Sequence, residues 1–175
     1  ATLDDHVSVK AFGAVGDGST ADVVAIQRAL DELYSETDQD DVRARRILFF
    51  PAGQYNIATS ITIPPYAHLV GEGPDKTIFY QSGGNGPVAV TEDDDGQVYG
   101  SIGNSGATTP TQIQIQGICF KNGEAYGGLS IDNATHVYIK DCKFQGTYAS
   151  GGADAANSKG VTVRSTTALP CSNIV

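Results

Sequence analysis

"QIQIQGICF", residues 112–120, returns in pattern as "HVYIKDCKF", residues 136–144. Ile113 matches Val137, Ile115 matches Ile139, Ile118 matches Cys142 and Phe120 matches Phe144, each pair 24 residues apart. In both copies apolar residues alternate, skip one position and alternate again, which places a bend at Gly117 and at Asp141. Alternation is the mark of a strand with one buried face. A period of this size, with a small set of strands per turn, is what a parallel β-helix requires: each coil leaves its inner face bare and buries it on the next. Hairpins in a sandwich remain the competing source of such a pattern. Two shorter echoes favour coiling. "KGVTVRS" (159–165) follows "GGLSIDN" (127–133), and "SNIV" (172–175) follows "THVY" (135–138). "TTALPC" (166–171) reads as a loop projecting from one coil. The last coil has nothing to cover its apolar face, so the expectation is that the native protein continues past Val175.

Working back toward the N-terminus, "ILFF" (47–50), "YNIA" (55–58), "SITI" (60–63), "HLVG" (68–71), "TIFY" (77–80) and "VAV" (88–90) are β-prone runs broken by Gly, Pro, Asn and Asp. With 21 glycines and no Met or Trp in 175 residues, the composition suits short strands and turns, on a chain long enough for one core. One stretch differs. Val23, Ile26, Leu30 and Leu33, with Tyr34 beside the last, follow a helical period. Thr20 is the expected N-cap, Asp22 puts negative charge in the first turn, and "SETDQDD" (35–41) ends the helix.

Before that helix lies "FGAVGDGST" (12–20), whose glycines first suggest a phosphate loop. Such a loop needs a buried strand ahead of it and a Lys-Ser/Thr or acidic partner after it, and "VSVKAF" (7–12) is a poor buried strand. The alternative is a tight reversal through Gly13, Gly16 and Gly18, held by an Asx turn at Asp17. The helix then lies over the open end of the first coil as a lid. This divides the chain into an N-terminal segment, 1–46, and β-helix coils, 47–175.

A formal charge of -9 excludes nucleic acid, which demands clustered cations, and an anionic membrane surface. No apolar run reaches membrane-spanning length, so no membrane insertion is expected. Cys119, Cys142 and Cys171 are odd in number and lack C-x-x-C spacing, so they read as free thiols acting as small hydrophobes, without zinc or a disulfide. No cofactor is indicated. The acidic run Glu92, Asp93, Asp94, Asp95 offers oxygens to Ca²⁺ but lacks alternating ligand spacing, and a solvated turn explains it as well.

Alternation puts Gln112, Gln114, Gln116, His136, Tyr138 and Lys140 on the outer face of the repeated coil, with Tyr126 and Tyr148 in connecting loops. Amides, rings and hydroxyls in adjacent rows suit sugars, although the exterior of any β-helix is polar. Asp132 and Asp141 are read as turn residues. No pair of carboxylates across a groove emerges, so catalytic residues stay unassigned.

"VKAFGAVGDGSTADVVAIQRAL" (9–30, with Val9 opening it) and "LFFPAGQYNIATSITIPPYAHLVGEGPDKTIFY" (48–80) resemble the N-terminal part of the pectate-lyase-like superfamily, in the branch of bacteriophage tailspikes and tail fibres. Phe12, Gly13, Ala14, Gly16, Asp17, Gly18, Ala25, Ile26 and Gln27 match the first motif. Pro51, Gly53 and Tyr55 match the second, and Leu69, Gly71 and Gly73 the third. Where that family has T-D-D-T, this chain has Ser19, Thr20, Ala21 and Asp22, losing one carboxylate. The resemblance implies a right-handed parallel β-helix with an N-terminal capping helix. It also implies a homotrimeric virion tail protein that recognises a bacterial surface polysaccharide, capsule or lipopolysaccharide, with cleavage left open. A secreted polysaccharide lyase, glycoside hydrolase or uronate epimerase of the same superfamily, or a non-catalytic fibre spacer, are the alternatives.

Overall fold

A computed structural model describes residues 6–35, 46–83, 86–92, 110–123, 127–146, 160–165 and 171–175. The chain winds as successive coils. The first holds β1 (His6–Ser8), β2 (Asp17–Ala21) and helix α1 (Val23–Leu30). The second is β3 (Ile47–Phe50), β4 (Gly53–Ile57) and β5 (Ile61–Ile63). The third is β6 (His68–Gly71), β7 (Thr77–Gln81) and β8 (Ala89–Thr91). The fourth is β9 (Thr111–Gln116), β10 (Cys119–Asn122) and β11 (Leu129–Asp132). The fifth is β12 (Thr135–Lys140), β13 (Lys143–Gly146) and β14 (Val161–Arg164), after which β15 (Ser172–Ile174) begins another. Stacking these coils makes three sheets. Sheet A runs β1-β3-β6-β9-β12-β15, sheet B runs β2-β4-β7-β10-β13 and sheet C runs β5-β8-β11-β14.

Every strand pair among the described residues is parallel. That excludes the hairpin alternative and gives a parallel β-helix, wound in the right-handed sense that parallel crossovers take. The repeat predicted from sequence is the register itself: Ile113 pairs with Val137, Ile115 with Ile139 and Phe120 with Phe144. The two shorter echoes hold as well, Leu129 meeting Val161 and Thr135 meeting Ser172. Gly117 and Asp141 bend the chain at φ +69 and +52.

The core forms where inward residues stack coil on coil. Tyr55, Phe79, Phe120 and Phe144 make a column inside sheet B, successive ring centroids 5.9, 5.5 and 5.5 Å apart. Leu48, Leu69 and Ile115 line sheet A opposite it, and Ile61, Ala89 and Leu129 line sheet C, all buried. Coils come closest at the A-to-B corner. A Cβ on Gly71 would stand 2.4 Å from the Gly117 carbonyl oxygen, so only glycine fits.

At the N-terminal end α1 takes the third side of the first coil, above β5, where a sheet C strand would otherwise lie. Ile26, Ala29 and Leu30 are fully buried, and Leu33 and Tyr34 nearly so. Val23 is only half-buried, so the lid is shifted from the expected stripe toward its C-terminal half. The regular helix stops at Leu30 and continues as one wider turn, Asp31–Ser35. That turn brings Leu33 and Tyr34 inward together, and the Tyr34 hydroxyl donates to the Arg46 and His68 carbonyls at 2.7 and 3.2 Å. Burial pushes the Tyr34 phenol up to about 12.

Two expectations about the Gly-rich segment are corrected. The N-cap position is Asp22, not Thr20. Thr20 belongs to β2, a strand where only a reversal was expected. The Asp17 turn is present: its carboxylate accepts from the Thr20 and Ser19 N–H groups at 2.7 and 2.8 Å and from the Thr20 hydroxyl at 2.8 Å. The Thr20 amide first, then that of Ser19, holds this carboxyl well below the usual carboxylate range. Gly13, Gly16 and Gly18 all take positive φ. The three thiols are free.

Candidate functional site

The outer face of sheet A carries a set of hydrogen-bonding and aromatic side chains. Because every second residue of a strand points outward, β6, β9 and β12 build two rows. His68 pairs in register with Gln114, and Gln114 with Tyr138. Beside them Val70 pairs with Gln116, and Gln116 with Lys140. Adjacent strands lie about 4.8 Å apart, so like side chains repeat at that interval along the coil axis. His68, Gln114, Gln116, Tyr138 and Lys140 line a groove of about 320 Å³ on this face. Tyr138 is 43% exposed, so its ring is accessible to a ligand.

The groove brings together Gln114, Gln116, Tyr138 and Lys140, as alternation predicts. It leaves out Gln112 and His136. Both adopt φ +55, and Tyr66 and Asn173 are also left-handed, at φ +66 and +52. Gln112 is nonetheless exposed in step with Gln114 and Gln116 along β9, so the alternation holds and the groove ends short of it. His136 instead faces the Asn173 carboxamide, Nε2 to Nδ2, at 3.1 Å. Tyr126 and Tyr148 lie outside the described residues, as do Asp93, Asp94 and Asp95. Glu92 closes the end of β8, is 6% exposed and donates its N–H to the Ile63 carbonyl. Among the described residues no group of three or more His, Cys, Asp or Glu is placed to hold a metal ion.

His68 is the groove residue that sequence reasoning missed. "HLVG" marks a strand, but only the turn lengths on either side set His68 opposite Gln114. The ring is half-buried, and its pKa is lowered by that burial and then by nearby His6. It is therefore neutral at pH 7 and can both donate and accept. The unfolded chain binds this proton more readily than the folded one, so stability falls as pH drops below about 6.5, the ordinary histidine value. His68→Gln is expected to flatten that part of the curve, as urea unfolding between pH 5 and 7.5, on the order of those values, would show.

Among the described residues the groove lining contains no carboxylate. A fully buried carboxylate does stand elsewhere, and its use is structural. Asp132 accepts from Ser130 Oγ at 2.7 Å, Arg164 Nε at 2.9 Å and Arg164 Nη2 at 2.5 Å, tying β11 to β14. It is thus an ion-pair partner across coils rather than the simple turn residue expected. Asp141, at its left-handed bend, is the turn residue that sequence suggests.

With this geometry in place, similarity to known proteins adds a context. A family model described as rhamnogalacturonase A/epimerase, pectate lyase-like, matches residues 6–109. A glucan 1,3-β-glucosidase of Cochliobolus carbonum is 35% identical over 71 residues, 41% of this chain and 8% of that protein. The pre-neck appendage protein of Bacillus phage B103 is 33% identical over 72 residues, 41% of this chain and 7% of the phage protein. Among solved structures, ORF18 of Geobacillus virus E2 superimposes with a TM-score of 0.59 at 28% identity, over 79% of this chain and 25% of that one. The chain thus spans less than a tenth of the length of these two curated relatives.

Proposed function

Because the chain belongs to the rhamnogalacturonase A/epimerase, pectate-lyase-like family, we propose that it is the N-terminal part of a tailspike- or tail-fibre-like virion protein that recognises a bacterial surface polysaccharide. The observation that carries this reading is the sheet A groove. It offers the exposed ring of Tyr138 for stacking on a sugar's C–H face, with the Gln114 and Gln116 carboxamides and neutral His68 in reach of hydroxyls. Binding sites for neutral polar ligands are built this way, from an apolar platform with a few placed polar groups. The similarity to a phage appendage protein and to a viral ORF product supports the virion setting. The similarity to a glucosidase supports carbohydrate as the ligand class. In the whole protein the three-fold assembly implied by the tailspike resemblance would set three such grooves side by side.

Glycoside hydrolysis ordinarily needs two carboxyl groups flanking the scissile bond. Among the described residues none lines the groove, and the reading proposed for it is retention of a glycan. The test is binding of this chain to an immobilised panel of capsular polysaccharides and lipopolysaccharides. Wild type is expected to bind at least one of them. Tyr138→Ala should bind that one about tenfold more weakly, the loss of roughly 1.4 kcal/mol of contact, with its circular dichroism unchanged. If wild type binds none, the carbohydrate reading fails and the coil is left as a spacer. Release of oligosaccharide by this chain would contradict the retention reading and favour the enzyme alternative.

A further inference from the structure

Inward positions of a β-helix are apolar because the core demands it. Nothing in the core demands apolar side chains on the outside, so a contiguous outward cluster of them marks a contact surface. Sheet A carries such a cluster beside the groove and on the same two rows. The pairing of Leu48 with Leu69, and of Leu69 with Ile115, sets Ile47, His68 and Gln114 in one row. In the other row Phe49 pairs with Val70, and Val70 with Gln116. Ile47, Phe49 and Val70 alternate with the buried Leu48, Phe50 and Leu69, and each is partly exposed. Strand β1 adds His6, whose ring centroid stands 6.5 Å from that of Phe49 at an interplanar angle of 50°. The face thus changes character along the coil axis. Carboxamides, a phenol and an ammonium lie over β9 and β12, apolar side chains over β3 and β6, with His68 at the boundary.

The two halves suit different parts of a sugar. Over Gln114 and Gln116 a hydroxyl can exchange its water for a carboxamide. Ile47, Phe49 and Val70 have no side-chain donor or acceptor, so a hydroxyl pressed on them loses its water and gains nothing. A methyl group in the same place gains from leaving water. Adjacent strands lie about 4.8 Å apart, so the apolar half begins one strand away from Gln116. A saccharide that runs along the axis from the groove toward β3 lays its next ring or substituent on Val70 and Phe49.

We propose, on the basis of the glycan-retaining reading of the groove, that Ile47, Phe49 and Val70 form a subsite continuous with it. This subsite selects sugars that carry a methyl group, as 6-deoxy and acetylated sugars do.

The experiment titrates ¹⁵N-labelled chain with two matched pairs of sugars, L-fucose against L-galactose and N-acetylglucosamine against glucose. The first pair differs by a methyl in place of a hydroxymethyl group, the second by an acetamido group in place of a hydroxyl, so the two arms separate a 6-deoxy from an acetyl methyl. The methyl-bearing member of at least one pair should bind about fourfold more tightly, the worth of one methyl group taken out of water. It should shift the backbone amides of Phe49 and Val70 together with those of the groove. The double variant Phe49→Thr, Val70→Thr keeps a strand-forming residue at two outward positions and should bring the members of that pair level. Val70→Thr alone, close to valine in shape but carrying a hydroxyl, should already lower the preference. Equal affinities within both pairs, with the groove amides shifting and Phe49 and Val70 unmoved, would overturn the subsite and leave the groove reading standing. So would silence with all four sugars in a chain that the polysaccharide panel shows to retain glycan; absence of retention in that panel is the separate failure of the groove reading. Shifts at Phe49 and Val70 that follow protein concentration instead of sugar would make the patch a contact between copies, and overturn the subsite as well.

Discussion

Phe79→Ala is expected to destabilise the coil by about 4 kcal/mol, within the range for removing a buried phenylalanine ring. The reason is position more than ring size. Phe79 has no exposed surface and its ring packs on Phe50 at 4.8 Å, Tyr55 at 5.9 Å and Phe120 at 5.5 Å. Those partners sit in the coil below and the coil above, so one truncation opens a void between three coils at once. Solenoid stability resides largely in such nearest-neighbour interfaces. Phe144→Ala should cost distinctly less, because Phe144 ends the described column and is only partly buried. Urea unfolding of both variants checks the ranking. Equal losses would show that the column does not carry the coupling between coils.

Asp22→Ala is expected to cost about 3 kcal/mol, since it strands two backbone donors that a buried carboxylate now satisfies. Asp22 is 1% exposed. Its Oδ1 accepts from Val15 N–H at 2.6 Å and its Oδ2 from Gly16 N–H at 3.0 Å. Without it the Gly-rich reversal loses its tie to the start of α1, and the lid that buries Ile26 and Leu30 loosens. For a chain of this size the loss corresponds to a fall in Tm of roughly 6–12 °C. Asp22→Asn keeps one acceptor and should lie between. A melting temperature within a degree or two of wild type for Asp22→Ala, on the order of measurement error, would mean the reversal holds by its glycines alone.

These two residues show what was legible in the sequence. Phe79 sits in an alternating run, and alternation with a 24-residue repeat identifies inward residues and even the register between β9 and β12. Hydrophobic burial is periodic, so it writes itself into the chain. Asp22 obeys no period. As a charged residue before a helix it reads as a dipole or capping contact, whereas its partners are amides six and seven residues back, reached only after the glycines reverse the chain. Strand β2 was missed for the same reason: five polar and small residues carry no apolar alternation, and their pairing with β4 is set by the coil.

The site was legible to the extent that it follows the pleat. Gln114, Gln116, Tyr138 and Lys140 share a face because two positions along a strand return to one side. Gln112 keeps the same alternation along β9 but lies beyond the end of the groove, and His136 meets Asn173 instead. His68 joins from another coil, which takes knowledge of every intervening turn. Gln27 was visible as a motif residue, but its two hydrogen bonds to Thr62 depend on a helix standing where a strand belongs.

The most direct test of the carbohydrate-binding account is a ¹H–¹⁵N correlation spectrum of this 18.2 kDa chain, titrated with oligosaccharide fragments of a polysaccharide that it retains in the panel. The account predicts saturable shifts at the Gln114 and Gln116 side-chain amides and at the backbone of His68, Tyr138 and Lys140. Shifts confined to residues of sheets B and C, with those five unmoved, would contradict it.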